Sequence, residues 1–245
     1  MSYFIFSLII TLTVYVVAKE LNTSIPFDEK HSQSEHAEEK KTVHDGNSGN
    51  CDDLQWMFID STSTLTISGK GIMSCCNEAY TPWSHLSNQV QNIEIQEGVS
   101  SIGQYAFINF TSLKIVIITS SITSIGMYAF HGCKNFVSIN IPSSVKTIGK
   151  YAFCECESLT SITIPSGVTS INDYTFNGCI SLKTVKFTSN ITSIGNFAFL
   201  NCKNLTSIVI PSSVTSIGPY AFSGCSSLAS ITIPSGVTDI NEYNS

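Results

Sequence analysis

The 245 residues include 12 lysines, no arginine and 18 acidic residues, for a formal net charge of -6. Charged residues make up only 12% of the chain, and from Val90 onward seven lysines stand against seven acidic residues. A near-neutral body without a basic stripe excludes nucleic acid as the expected partner, and the length suits one repeat domain with a small N-terminal unit.

Residues 1–18 read as a secretory signal peptide: an apolar run from Tyr3 to Val17, with small residues placed for cleavage after Ala18. The n-region lacks lysine and arginine, which leaves an uncleaved anchor as the alternative. The run is shorter than the roughly 20 residues of a spanning helix, so no direct membrane span is expected after cleavage. Residues 19–50 are polar and charged, too poor in large apolar side chains to offset ordering, and read as a flexible linker. Its His31, His36 and His44 show no regular ligand spacing and read as part of a solvated tail.

Residues 51–89 read as an N-terminal cap. Leu54–Ile59 and Thr64–Ser68 are strand-like runs around the turn-prone Asp60-Ser61-Thr62-Ser63, which predicts a β-hairpin. Repeat domains require such an atypical end to cover the first apolar face.

Residues 90–245 repeat one phrase every 23 residues. Gly103, Gly126, Gly149, Asn172, Gly195, Gly218 and Asn241 form one column, Phe107, Phe130, Phe153, Phe176, Phe199 and Phe222 another, and isoleucines from Ile102 to Ile240 a third. A fixed period of this size marks a solenoid whose turns bury their apolar faces only against one another. In Leu159–Ile171, the alternation puts Ile162 and Ile164 on the buried side of a short strand, with Ser161 and Thr163 outward. Pro142, Pro165, Pro211 and Pro234 end the strand because proline donates no ladder hydrogen bond. The exchange of glycine with asparagine predicts a left-handed residue in the Gly103 column. A second such column holds Asn109, Gly132, Glu155, Gly178, Asn201 and Gly224, with Glu155 the misfit. Between the columns, Tyr-Ala-Phe predicts a short turn or a single helical turn.

The pattern Leu-x-x-Ile-x-Ile-Pro-x-x-Val-x-x-Ile-Gly-x-Tyr-Ala-Phe-x-x-Cys resembles the leucine-rich repeat of BspA-like surface proteins. Leu54-Gln55-Trp56, Leu65–Gly71 and Thr81-Pro82-Trp83 resemble the segment that precedes its first repeat. The resemblance implies a repeat solenoid: a right-handed leucine-rich repeat superhelix with a parallel β-sheet on its concave face, short or helical turns opposite, and a small β-rich cap. It implies an extracellular binding or adhesion role and no catalytic residues. The last repeat is incomplete, ending at Asn244-Ser245 where Ala-Phe is due. Self-association through the exposed strand edge is therefore the alternative to binding a foreign partner.

Cys133, Cys156, Cys179, Cys202 and Cys225 share a column with Phe110, so the slot reads as core and the thiols as buried and free. Cys51 is expected to form a disulfide with Cys75 or Cys76 in an oxidising compartment. Asn109, Asn190 and Asn204 head glycosylation acceptor triplets. His131 has no acid recurring beside it, no nucleophile–base spacing or phosphate loop is visible, and no enzyme, cofactor or metal is expected. The candidate ligand-binding residues are the outward ones of the sheet: Ile115, Ile117, Asn140, Ser161, Thr163, Thr184, Lys186, Ser207 and Val209. Together these readings describe a secreted or surface-displayed protein binding a protein or glycan ligand of a host cell or extracellular matrix.

Overall fold

The computed structural model describes residues 47–78, 80–188 and 191–240. The signal-like run, most of the linker, Asn190 and the last five residues lie outside the described residues.

The cap opens with β1 (Ser48–Cys51), β2 (Leu54–Ile59) and β3 (Thr64–Gly69), each antiparallel to the next, so the expected hairpin is present. The boundary drawn at Cys51 needs correction, because Ser48, Gly49 and Asn50 pair with Met57, Trp56 and Gln55. Their polar composition conceals a steric fit: a Cβ at Gly49 would lie 2.8 Å from the Trp56 indole nitrogen. After β4 (Gly71–Ile72), all further strand pairing in the main ladders is parallel. The strands are β5 (Asn92–Ile95), β6 (Val99–Ile102), β7 (Ile115–Ile118), β8 (Ser124–Ile125), β9 (Ser138–Ile139) and β10 (Thr147–Ile148). They continue as β11 (Ser161–Ile164), β12 (Ser170–Ile171), β13 (Thr184–Phe187), β14 (Ser193–Ile194), β15 (Ser207–Ile208), β16 (Ser216–Ile217) and β17 (Asp239–Ile240).

Each turn of this β-solenoid thus carries two strands, where the sequence suggested one. Odd-numbered strands from β3 to β15 form a first ladder and even-numbered ones from β4, closed by β17, a second. The cap is itself a turn of the coil, since β3 pairs in parallel with β5. Leu65 lies opposite Ile93 at a separation of 28 residues, whereas Ile93 lies opposite Val116 at 23.

Proline sets the length of each first-ladder contact. The Thr188 N–H donates to Ile164 O at 3.0 Å, and β11 and β13 pair over four residues. The equivalent position is Pro142, Pro165 and Pro211 in other turns, and there the bond cannot form. Accordingly β7 with β9, and β13 with β15, pair over two residues only. Between β9 and β11 the first ladder is interrupted, and between β10 and β12 the second is interrupted as well. The same seam is crossed by two side-chain ion pairs, Lys134–Glu157 at 3.0 Å and Lys150–Asp173 at 2.8 Å.

The third side of the coil is a turn, with no helix in it. Its amides donate forward: Tyr105, Phe107 and Asn109 N–H reach the carbonyls of Met127, Ala129 and His131 in the next turn. Strand-side amides donate backward, as Gly126 does to Ile102. The second left-handed column is as expected, with φ of 57° at Asn109, 72° at Gly132 and 58° even at Glu155.

The first column is not left-handed. Positive φ falls two residues later, on Tyr105, Tyr128, Tyr151, Tyr174, Phe197 and Tyr220. The glycines are needed for close approach: a Cβ at Gly126 or Gly149 would lie 2.5 Å from the backbone nitrogen of Gln104 or Met127 one turn earlier. Asn172 keeps the link between turns through its side-chain amide, which donates to Ile148 O at 2.6 Å. A left-handed conformation costs a bulky residue about 1–3 kcal/mol. Stacking offsets it, because the six rings form a ladder with centroids 5.0, 4.5, 4.5, 4.6 and 5.1 Å apart.

Inside, the phenylalanine column stacks from Phe107 to Phe222, with Trp83 of the cap lying on Phe107 at 5.8 Å. The Trp83 indole N–H donates to Ala106 O at 2.7 Å. Beside it runs the cysteine column. Cys133, Cys156, Cys179, Cys202 and Cys225 are buried and free, and each thiol donates to the carbonyl of a phenylalanine 26 residues earlier at 3.1–3.2 Å. Burial pushes the Cys133, Cys156 and Cys179 thiols well up from their ordinary range.

Two outcomes are expected from this core. Phe153→Ala removes a ring stacked on both neighbours and should lower unfolding free energy by about 3–5 kcal/mol in denaturant titrations. Iodoacetamide should leave the column thiols unlabelled in the folded protein, and label all seven free cysteines once it is unfolded with the disulfide intact.

Candidate binding face

Along each first-ladder strand the buried residues alternate with outward ones, and the parallel register aligns the outward ones into two rows. One row runs Thr66, Glu94, Ile117 and, by the 23-residue register, Asn140, Thr163, Lys186 and Val209. The other runs Thr64, Asn92, Ile115, Ser138, Ser161, Thr184 and Ser207. All nine residues named as ligand-binding candidates are exposed on this face, Val209 at 82% and both Ile115 and Ile117 at 48%. Shallow cavities flank Val209. One of about 500 Å³ is lined by Lys186, Thr188, Pro211 and Ser212, and the other, of about 300 Å³, lies toward Thr232 and Pro234.

The hairpin extends the face beyond the repeats. Met57 lies opposite Thr66 and Ile59 opposite Thr64, and both are exposed while Trp56 and Phe58 are buried. The alternation in Leu54–Ile59 carried that signal. What hid it was the 28-residue offset of the cap, which breaks the column spacing.

The other candidate residues are dispersed. Cys51 and Cys75 are joined by a disulfide with Cα atoms 5.4 Å apart. Cys76 is free and buried, its sulfur 3.7 Å from that of Cys75, and burial followed by the nearby Asp52 charge pushes its thiol up to about 12. Asn109 is exposed at its left-handed corner, and Asn204 is exposed with its amide donating to Ile180 O at 2.9 Å.

His131, Cys154 and Asn177 occupy one column on successive turns. The His131 ring meets Tyr128 edge-on at 5.6 Å, its Nδ1 has no partner, and burial lowers its basicity. The Asn177 amide donates to the Cys154 sulfur at 3.4 Å, while burial raises that thiol to about 11. A thiol held protonated is a poor nucleophile. Among the described residues, no three His, Cys, Asp or Glu side chains are placed to hold a metal ion, and no helix is long and apolar enough to cross a membrane.

Comparison with known proteins agrees with this architecture. A search of the curated proteins found no match. Among solved structures, the chain is similar to a leucine rich cell surface protein from Faecalibacterium prausnitzii, with 34% identity and a TM-score of 0.59 over 76% of this chain and 54% of that one. It is also similar to a leucine-rich repeat protein from Eubacterium ventriosum, at 25% identity and a TM-score of 0.53, covering 76% of this chain and 59% of that chain. A leucine-rich repeat protein from Bacteroides ovatus, at 24% identity and a TM-score of 0.52 with the same coverage, shares the fold. The chain therefore spans little more than half the length of these proteins. The family model for the BspA type leucine rich repeat region matches residues 84–196 and 146–244 in six copies, the stretch in which the structure stacks its 23-residue turns. By repeat, by fold and by kinship, the chain belongs to the BspA type leucine-rich repeat family.

Proposed function

We propose that the protein acts outside the cell or at its surface as a recognition or adhesion module, holding a protein or glycan of a host cell or matrix against the outward face of the first ladder, without catalysis. The observation that carries this reading is the face itself. Its side chains stand on hydrogen-bonded strands, so Asn140, Thr163, Thr184 and Lys186 project from fixed positions and lose little order when a ligand arrives. Serine and threonine predominate, with Lys186 beside the larger cavity as a point of positive charge. The extracellular setting draws support from the signal-like first 18 residues and from the disulfide of the cap.

Lys186→Glu combined with Thr163→Arg should weaken binding to host-surface or matrix ligands about tenfold or more, read by surface plasmon resonance on the full chain. Unchanged binding to every such ligand would sink the assignment to this face. Protein expressed in its native cell type should begin near Lys19 and lose mass on glycosidase treatment; retention of Met1 without sugar would remove the extracellular setting.

A further inference from the structure

The two rows of the face are not uniform along their length. Met57, Ile59, Ile115 and Ile117 are exposed at 50, 39, 48 and 48%, and all four lie at the cap end. Strand spacing puts β2 and β7 roughly 14 Å apart. Between them stand Thr64, Thr66, Asn92 and Glu94, and Glu94 is laterally adjacent to both Thr66 and Ile117. The ion pairs of the described residues, Lys134–Glu157 and Lys150–Asp173, leave Glu94 out. The Lys114 ammonium donates to Gln91 Oε1 at 2.9 Å. A half-buried carboxylate framed by exposed apolar side chains is a specific recognition element: whatever covers the isoleucines also strips water from the charge.

We propose that this cap-end patch docks a partner protein segment that places a lysine or arginine between apolar side chains, the cation meeting Glu94 and the apolar groups covering Met57, Ile59, Ile115 and Ile117. The inference rests on the binding reading above and names its partner's chemistry. An acidic or purely apolar segment would leave Glu94 dehydrated and unpaired. A second copy of this chain satisfies the charge but not the shape. A two-fold axis through Asn140 brings Glu94 against Lys186, yet sets Ile117 against Thr163, leaving the isoleucines facing hydroxyls.

The test titrates the full chain, carrying isotope-labelled isoleucine methyls, with two blocked synthetic peptides, one of alternating valine and lysine and one of alternating valine and glutamate. The lysine peptide should shift the Ile59, Ile115 and Ile117 methyls, the glutamate peptide should not, and added salt should weaken the effect. Glu94→Gln should weaken lysine-peptide binding about tenfold, and Lys186→Glu should leave it unchanged. Equal shifts with both peptides, no shift of these methyls, or unaltered affinity in Glu94→Gln overturns the proposal. So does a concentration-dependent shift without peptide, which assigns the patch to a second copy. A matrix or cell-surface ligand lost by Lys186→Glu with Thr163→Arg, but kept by both Glu94→Gln and Ile117→Asp, leaves the general binding reading standing while this one falls. No ligand engaging the face in any variant removes both.

Discussion

The structure depends on one constraint: a turn of 23 residues cannot satisfy its own backbone and must find partners in the turns before and after it. Strand-side amides such as Gly126 N–H donate backward to Ile102, and turn-side amides such as Tyr105 N–H donate forward to Met127. Every complete turn is therefore donor and acceptor toward both neighbours. The period cannot drift, since one inserted residue would swing every later donor away from its carbonyl. The side chains follow from that spacing. Phenylalanines stack because their backbones are held one turn apart, and the cysteine thiols find phenylalanine carbonyls for the same reason.

Much of this was legible in the sequence. The alternation in Ser161–Ile164 placed Ile162 and Ile164 inside, and Phe110 in the cysteine column identified that slot as core. Proline marked where the first ladder loses a donor. The Gly103 column was misread because glycine serves two needs that look alike in a sequence. It relieves positive φ, and it permits one backbone to pass within a Cβ radius of another; here the second need operates. No propensity would assign positive φ to Tyr128 or Tyr151, since their conformation is a property of the stack and not of the residue. Ser48–Asn50 looked like tail because pairing to β2 uses backbone groups that composition does not register. The continuity of Met57 and Ile59 with Ile115 and Ile117 stayed hidden because the cap is joined by a longer step.

The division of labour between columns bears on function. Residues facing inward are fixed by stacking, and those at the turns by close approach and φ. The outward rows of the first ladder answer to neither demand, so their chemistry is free to differ between turns. That freedom is used unevenly: the isoleucines and Glu94 lie toward the cap, the hydroxyls at the centre, and Lys186 with Val209 beyond. One scaffold thus offers regions of different chemistry in fixed register. Recognition by such a face depends on the order of side chains along an axis, with no pocket of great depth required.

The seam between the turns of β9 and β11 gives the solenoid a mechanical weak line. On either side of it, main-chain hydrogen bonds in two strand ladders tie neighbouring turns together. At the seam both strand ladders are interrupted, and what crosses includes the turn-side amides, the Asn172 amide and the ion pairs of Lys134 with Glu157 and Lys150 with Asp173. Solvent-exposed ion pairs are weak and screened by salt. The coil therefore behaves as two stiffer segments on a compliant joint whose give depends on ionic strength, and tension applied along its axis is released first at that joint.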